Sequence, residues 1–347
     1  MKAITFILPS SDRSGGIKAT IQLANILLDR NYIVRVLVKR STVFSIKDIA
    51  RTCYIKNRYH GAVDWLDEFR GTVRHYSVLS DISFKRGEYV IFVGLETIED
   101  VAEINVCDAK CVLFVHGLAP SRPDLVQKAI SSDIKKIFVS SYLVNMLNDS
   151  CIDKVSTVVP NGVDLKEYYP VKQEKERIGI GTIYSGAISK DPGTIINVIN
   201  FLKSKHGDIP IYTFGSWRRP NDMKCAKYVR FPSISLSREI YSRCRVWFVA
   251  SKTEGFSLPI LEAMACGCVV VSTKCGGPSD IIIDGENGYL VNVGDSKELS
   301  EKILDVYFDN KRYKMVQDNA YRTTRKFTLE NSANVFEEAI ENVKNNR

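Results

Sequence analysis

The sequence predicts an α/β protein made of two tandem, doubly wound parallel sheets, and three observations predict it. Short runs rich in Val, Ile and Phe alternate with helical patterns along the chain, as parallel sheets covered by helices require. The 347 residues exceed what one hydrophobic core usually supports, so two domains are expected. A polar, turn-rich stretch, PNGVDLKEYYPVKQEKER at 160–177, divides the runs into two series.

In the first series the expected strands are AITFIL (3–8), IVRVLV (33–38), YVIFV (89–93), CVLFV (111–115), KIFVS (136–140) and VSTVV (155–159). The clearest helix is 17–30, where Ile17, Ile21, Ala24 and Leu28 form one stripe. Residues 41–88 carry no assignable pattern before the strand at 89. The second series is RIGIGTIY from about 178, IPIYTF (209–214), KYVRF (227–231), VWFVA (246–250), CVVVS (268–272) and GYLV (288–291). Helices fill 295–347, and no solenoid repeat is visible. The expected domains are therefore 1–165 and 166–325, with a terminal helix at 326–347 packing back on the first domain.

Composition is that of an ordinary globular chain, 45% hydrophobic and 25% charged, with a mean hydropathy of −0.10. No apolar run approaches the roughly 20 residues of a membrane span. The opening MKAITFIL reads as a first strand, not a signal peptide, so a cytoplasmic address is expected. The nine cysteines lack metal-like pairing, and their odd number argues against a full disulfide framework; reduced, buried thiols are expected. The net charge of +8 comes from dispersed residues, densest at 47–60 and 214–230, without a nucleic-acid-binding signature. An attraction to phosphates or to the inner face of a membrane is left open by that charge.

Ligands of open parallel sheets bind beyond the carboxyl ends of the strands, where loops and helix N-termini converge. Four such loops carry unusual residues. SSDRSGGIKAT (10–20) offers Gly15 and Gly16 for close backbone approach, but neither a dinucleotide fingerprint nor a P-loop spacing. His116 directly follows a buried strand; a structural role and a functional one are equally open. TFGSWRRPND (213–222) places Arg218 and Arg219 after a strand, suited to phosphate or to solvent. SKTEGFSLPILEAMACGC (251–268) turns into a helix that Pro259 can start, leaving N–H groups from about Ser257 to Ile260 as a seat for phosphate oxygens. Glu254 before that seat and Glu262 beyond it would repel phosphate, so they suit neutral donors such as sugar hydroxyls. One acid for hydroxyls on each side of a diphosphate is what a nucleotide-sugar needs; two surface acids stabilised by the helix dipole are the plainer alternative.

The block IYSRCRVWFVASKTEGFSLPILEAMACGCVVVSTKCGGPSDIIIDGENGYLV (240–291) resembles the E-x7-E signature of retaining GT-B glycosyltransferases of family 4, the group 1 glycosyl transferases. SGGIKATIQLANIL (14–27), VHG (115–117) and VVPNGVDLKEYYP (158–170) extend the resemblance over most of both domains. It implies a GT-B fold of two Rossmann-like domains facing across a cleft, with acceptor on the first and nucleotide-sugar on the second. It implies that Glu254 contacts the donor sugar and Glu262 the ribose, and that N–H groups at Phe256, Ser257 and Leu258 hold the diphosphate. Gly15 and Gly16 would cover the diphosphate and His116 would lie near the transferred sugar. Retention of configuration, no cofactor and no metal are further implications. The expected activity is transfer of a hexose or deoxyhexose from a nucleoside-diphosphate sugar to a hydroxyl of a glycan or lipid-linked acceptor, as in polysaccharide biosynthesis.

One departure stands out. The family's Arg and Lys, five residues apart, neutralise the leaving diphosphate; here Ala187 and Pro192 occupy those places. Lys190, Arg218, Arg219 and Lys252 are candidate replacements. Without a replacement the chain would be an impaired, nucleotide-sugar-binding partner protein, and a nucleotide-sugar epimerase on the same fold is a further alternative.

Overall fold

The computed structural model describes residues 2–11, 14–40, 64–104, 109–119, 122–148 and 157–341, and the basic run at 47–60 lies outside them. The described chain forms two compact units, one from the N-terminal residues to Gly162 together with the segment from Leu329 onward, the other over Val163–Thr328.

In the first unit the strands are β1 (Ala3–Leu8), β2 (Ile33–Lys39), β3 (Thr72–Tyr76), β4 (Tyr89–Val93), β5 (Lys110–Val115), β6 (Lys135–Phe138) and β7 (Thr157–Val158). They pair in parallel in the order β3-β2-β1-β4-β5-β6-β7, with the switch point between β1 and β4. The central β4 is buried at every position, because helices cover both faces of such a sheet. Helix α1 (Gly15–Asp29) is capped by Ser14, whose hydroxyl accepts from the Ile17 N–H. Its buried stripe runs through Ile17, Ile21, Ala24 and Leu27; Leu28, expected on that stripe, is only half-buried, since 3.6-residue periodicity carries Leu27 closer to the axis of the face. Helices α2 (Pro123–Ser131) and α3 (Ser141–Asn148) follow β5 and β6.

The second unit holds β8 (Gly179–Ile183), β9 (Ile211–Gly215), β10 (Lys227–Arg230), β11 (Cys244–Val249), β12 (Val269–Thr273) and β13 (Tyr289–Val291), all parallel, in the order β10-β9-β8-β11-β12-β13. Its switch point is between β8 and β11. The covering helices are α4 (Pro192–Lys205), α5 (Ile234–Arg243), α6 (Leu258–Ala265), the short α7 (Pro278–Ile281), α8 (Ser296–Phe308) and α9 (Asn310–Thr324). Ile199, Leu202, Val246, Val271, Ile303 and Val316 are among the fully buried side chains of its core.

The last helix, α10 (Leu329–Glu341), belongs to the first unit. Phe336 is fully buried against Phe6 and Phe114, with ring centroids 5.9 and 5.8 Å away, and Arg30 pairs with Glu330 at 2.7 Å and with Glu337.

The observed strands fall within a few residues of those expected. VSTVV at 155–159 is paired only at Thr157–Val158 among the described residues. β3 and a short 3₁₀ turn at Leu79–Asp81 were hidden in the unassigned stretch. Of the described cysteines five are buried free thiols, as expected, but Cys225 is exposed, because it sits in the turn before β10 and not on a strand face. No helix among the described residues is long and apolar enough to cross a membrane.

Candidate active site

The loops after β8, β11 and β12 meet at the carboxyl end of the second sheet, beside its switch point, where converging loops leave room for a ligand. Backbone bonds stitch them together. The Lys252 N–H donates to the Ser189 carbonyl (2.8 Å), the Glu254 N–H to the Cys275 carbonyl (2.9 Å), and the Gly277 N–H to the Glu254 carbonyl (2.9 Å). Gly277 has no room for a side chain: a Cβ there would stand 2.4 Å from both the Gly255 oxygen and the Phe256 Cα.

On this frame the Glu254 carboxylate, 12% exposed, accepts two bonds at Oε1, from the Lys190 ammonium (2.7 Å) and the Ser251 hydroxyl (2.8 Å). Lys190, Ser251, Glu254, Ser257 and Pro259 line one pocket together with Ser185. Lys190 reaches it because residues 188–190 form a 3₁₀ turn that ends in the left-handed Asp191 (φ 46°). Asp191 then caps α4, accepting from Thr194 N–H and Thr194 hydroxyl, while Pro192 opens the helix. Pro192 thus starts a helix at the place where the family carries its Lys, and the ammonium that enters the pocket comes from two residues earlier.

Ser257 precedes α6 with φ 83°, a left-handed conformation that costs a non-glycine residue energy. Its side chain is 6% exposed, and its hydroxyl, which lines the pocket, has no hydrogen-bond partner among the described residues. Of the N–H seat expected from Ser257 to Ile260, Pro259 has no N–H and the Ile260 N–H is engaged by the Ser257 carbonyl at 3.1 Å, which leaves Ser257 and Leu258. Phe256 is buried, its ring edge-on to Phe327 at 5.9 Å.

Glu262 lies one turn into α6, 7% exposed, and accepts from the Tyr241 hydroxyl at 2.9 Å. Tyr241 is fully buried; burial, then the charge of Glu262, holds its pKa well above the ordinary value, so it stays a neutral donor.

The other expected cations are elsewhere. Lys252 points to Asp191 (3.8 Å) and is half-exposed, Arg219 donates to the Ala226 carbonyl (3.3 Å), and Arg218 is exposed on the same loop; none of the three lines the pocket. Of the four candidates the structure brings only Lys190 to Glu254. Among the described residues no three His, Cys, Asp or Glu side chains gather as a metal site would need.

In the first unit, His116 and Gly16 meet at the carboxyl ends flanking that sheet's switch point: a Cβ at position 16 would be 3.2 Å from the His116 Cβ, whereas Gly15 faces open space. Gly16 therefore packs closely on His116, which would have to shift slightly to admit a side chain there. The imidazole lies 4.2 Å from the Phe114 ring, and both its nitrogens are buried without a hydrogen-bond partner among the described residues. Burial pushes its pKa down to about 3. The unfolded imidazole titrates near 6.5, so below that pH the unfolded chain binds a proton that the folded chain refuses. Stability is complete above about pH 6.5 and is lost on acidification, by roughly 3 kcal/mol at pH 4. The expected result is a Tm that falls between pH 7 and pH 4 in the wild type and falls less in His116→Gln, read by thermal melts across that range.

Sequence reasoning missed Ser251 and Tyr241, which hold the two glutamates. Ser251, three residues before Glu254, carried a weak local signal; Tyr241 is 21 positions from Glu262 and carried none.

Residues 231–323 match the family described as Glycosyl transferases group 1. An uncharacterized glycosyltransferase of Methanocaldococcus jannaschii is 27% identical over 208 residues, which span 58% of this chain and 58% of that protein. The lipopolysaccharide 1,2-N-acetylglucosaminetransferase of Salmonella typhimurium is 24% identical over 73% of this chain and 72% of its own. Among solved structures, Anabaena HepE in complex with UDP and glucose superposes with a TM-score of 0.77 at 16% identity, over 99% of this chain and 100% of that one.

Proposed function

Taking the chain as a group 1 glycosyl transferase of the GT-B fold, we propose that it is a retaining, metal-independent enzyme that moves a hexose or deoxyhexose from a nucleoside-diphosphate sugar to a hydroxyl of a glycan or lipid-linked acceptor. The relatives that act on sugars and the neighbour solved with UDP and glucose support the substrate class. The observation that carries the reading is the Lys190–Glu254 pair, an acid and a cation that line one pocket with Ser257 at the start of α6.

In this reading the diphosphate sits on the N–H groups of Phe256, Ser257 and Leu258, and the Ser257 hydroxyl gains its missing partner there. Glu254 accepts hydrogen bonds from the donor sugar's hydroxyls and Glu262 from the ribose. Lys190, held by Glu254 in the free chain, turns its ammonium toward the diphosphate as the bond to the anomeric carbon breaks and negative charge builds on the leaving oxygen. The acceptor hydroxyl attacks from the face the diphosphate leaves, and its proton passes to the departing phosphate oxygen.

Ala187 and Pro192 favour one rival, a nucleotide-sugar-binding protein that has lost turnover. A panel of UDP-, GDP-, dTDP- and ADP-sugars, incubated without added metal, separates the two. Stabilisation by one donor with slow release of its nucleoside diphosphate is the expected result. Stabilisation without release, even with glycan acceptors present, supports the rival, and no stabilisation by any donor overturns the site.

A further inference from the structure

The two glutamates are anchored to different parts of the second sheet, and this orders the parts of a donor along it. The Glu254 main chain is bonded to Cys275 and Gly277 in the loop after β12, and its carboxylate to Lys190 after β8 and Ser251 after β11. Glu262 is bonded to Tyr241, whose ring packs edge-on against Phe214 of β9 at 5.4 Å. With the sugar at Glu254, over β8, β11 and β12, and the ribose at Glu262, whose partner Tyr241 packs between Trp247 of β11 (4.3 Å) and Phe214 of β9, the donor of the reading above runs toward β9 across the order β10-β9-β8-β11-β12. The base, one bond beyond the ribose, falls over the carboxyl ends of β9 and β10.

Trp217 stands in that place, in the loop that leaves β9, and is 50% exposed. Its six-membered ring lies on Gly186, the neighbour of pocket-lining Ser185: a Cβ at position 186 would come within 2.7 Å of Cε3, 3.0 Å of Cζ3 and 3.1 Å of Cδ2. The backbone around it is clamped from β10. The Tyr228 hydroxyl donates to the Trp217 carbonyl (2.6 Å), Arg230 Nε to the Ser216 carbonyl (2.9 Å), and the Phe231 N–H to the Gly215 carbonyl (2.9 Å). One face of the indole is thus supported by glycine backbone, and its position is fixed before any ligand arrives.

We propose that Trp217 is the platform on which the nucleobase of the donor stacks, with Gly186 as its bed. The inference rests on the donor-site reading above. Stacking on an aromatic face accepts any base, so the platform supplies affinity for the nucleoside more than choice among bases. The arrangement also accounts for Gly186, since any side chain there would lift the indole off its bed.

The test uses the full chain. UDP, GDP, dTDP, ADP and inorganic pyrophosphate are titrated by calorimetry, with tryptophan emission followed in parallel. The expected result is quenching by the best-bound nucleoside diphosphate in the wild type. In Trp217→Ala that nucleotide binds more weakly by about tenfold or more while pyrophosphate changes by less than about twofold, the quench disappears, and Trp217→Phe retains most of the affinity. Gly186→Ala reproduces the Trp217→Ala loss. Nucleotide affinity unchanged in Trp217→Ala overturns the platform and leaves the donor site standing. Equal loss of pyrophosphate also overturns it, by showing a damaged loop instead of a missing stack. A wild type that binds pyrophosphate and no nucleotide, or neither, overturns the donor reading and the platform with it.

Discussion

Glu254→Gln lowers transfer by about two to three orders of magnitude while nucleoside-diphosphate affinity stays within about threefold of wild type. The amide keeps the shape and one acceptor oxygen but gives up the charge that holds Lys190 at 2.7 Å and the strength of the bonds that a carboxylate accepts from sugar hydroxyls. It leaves the phosphate seat alone, because Glu254 holds the seat's loop through its main chain, bonded to Cys275 and Gly277. Single-turnover transfer with the best donor of the panel, alongside calorimetry with its diphosphate product, separates the two effects. Unchanged turnover, or a parallel loss of product affinity, refutes the role given to the carboxylate.

Lys190→Ala has the second large effect, a loss in turnover of about 10²-fold or more, with a smaller rise in donor KM, because the ammonium is needed most where charge develops on the leaving diphosphate. Arginine at 190 restores part of the rate, since charge and donors return in a different shape. Alanine at Arg218 or at Lys252, which do not line the pocket, changes turnover by less than about threefold. Steady-state kinetics on the four variants checks the assignment. If Lys190→Ala is silent and Arg218→Ala is not, the leaving-group cation has been misplaced.

The strands that hold each sheet together were legible because they are buried on both faces: YVIFV at 89–93 and VVV within 269–273 have no polar position to confuse the pattern. β3 was not, because TVRHY lies at a sheet edge with only Tyr76 fully buried, and an edge strand half in water carries no apolar signature. In the site, the spacing of Glu254 and Glu262 around a helix start was plain in the chain. The choice of Lys190 over Arg218, Arg219 and Lys252 was not, because all four are cations after a strand and only the left-handed turn at Asp191 aims one of them inward. Ser257 was legible only as a main-chain N–H donor; its positive φ and its hydroxyl without a partner among the described residues exist only in three dimensions. Trp217 and Tyr241 matter through partners 31 and 21 positions away, Gly186 and Glu262, a separation over which local pattern says nothing.

The helix α10 bears on how the protein is made. Phe336 fills the space beside Phe6 and Phe114, yet it is synthesised only after the whole of Val163–Thr328. The N-terminal sheet is first to emerge and last to close. In the interval its apolar face, with Phe6 and Phe114 uncovered, is open to chaperones and to other nascent chains, while the later unit, whose first and last residues Val163 and Thr328 pair with each other, can mature within itself. The first unit is thus completed by a segment made after the second.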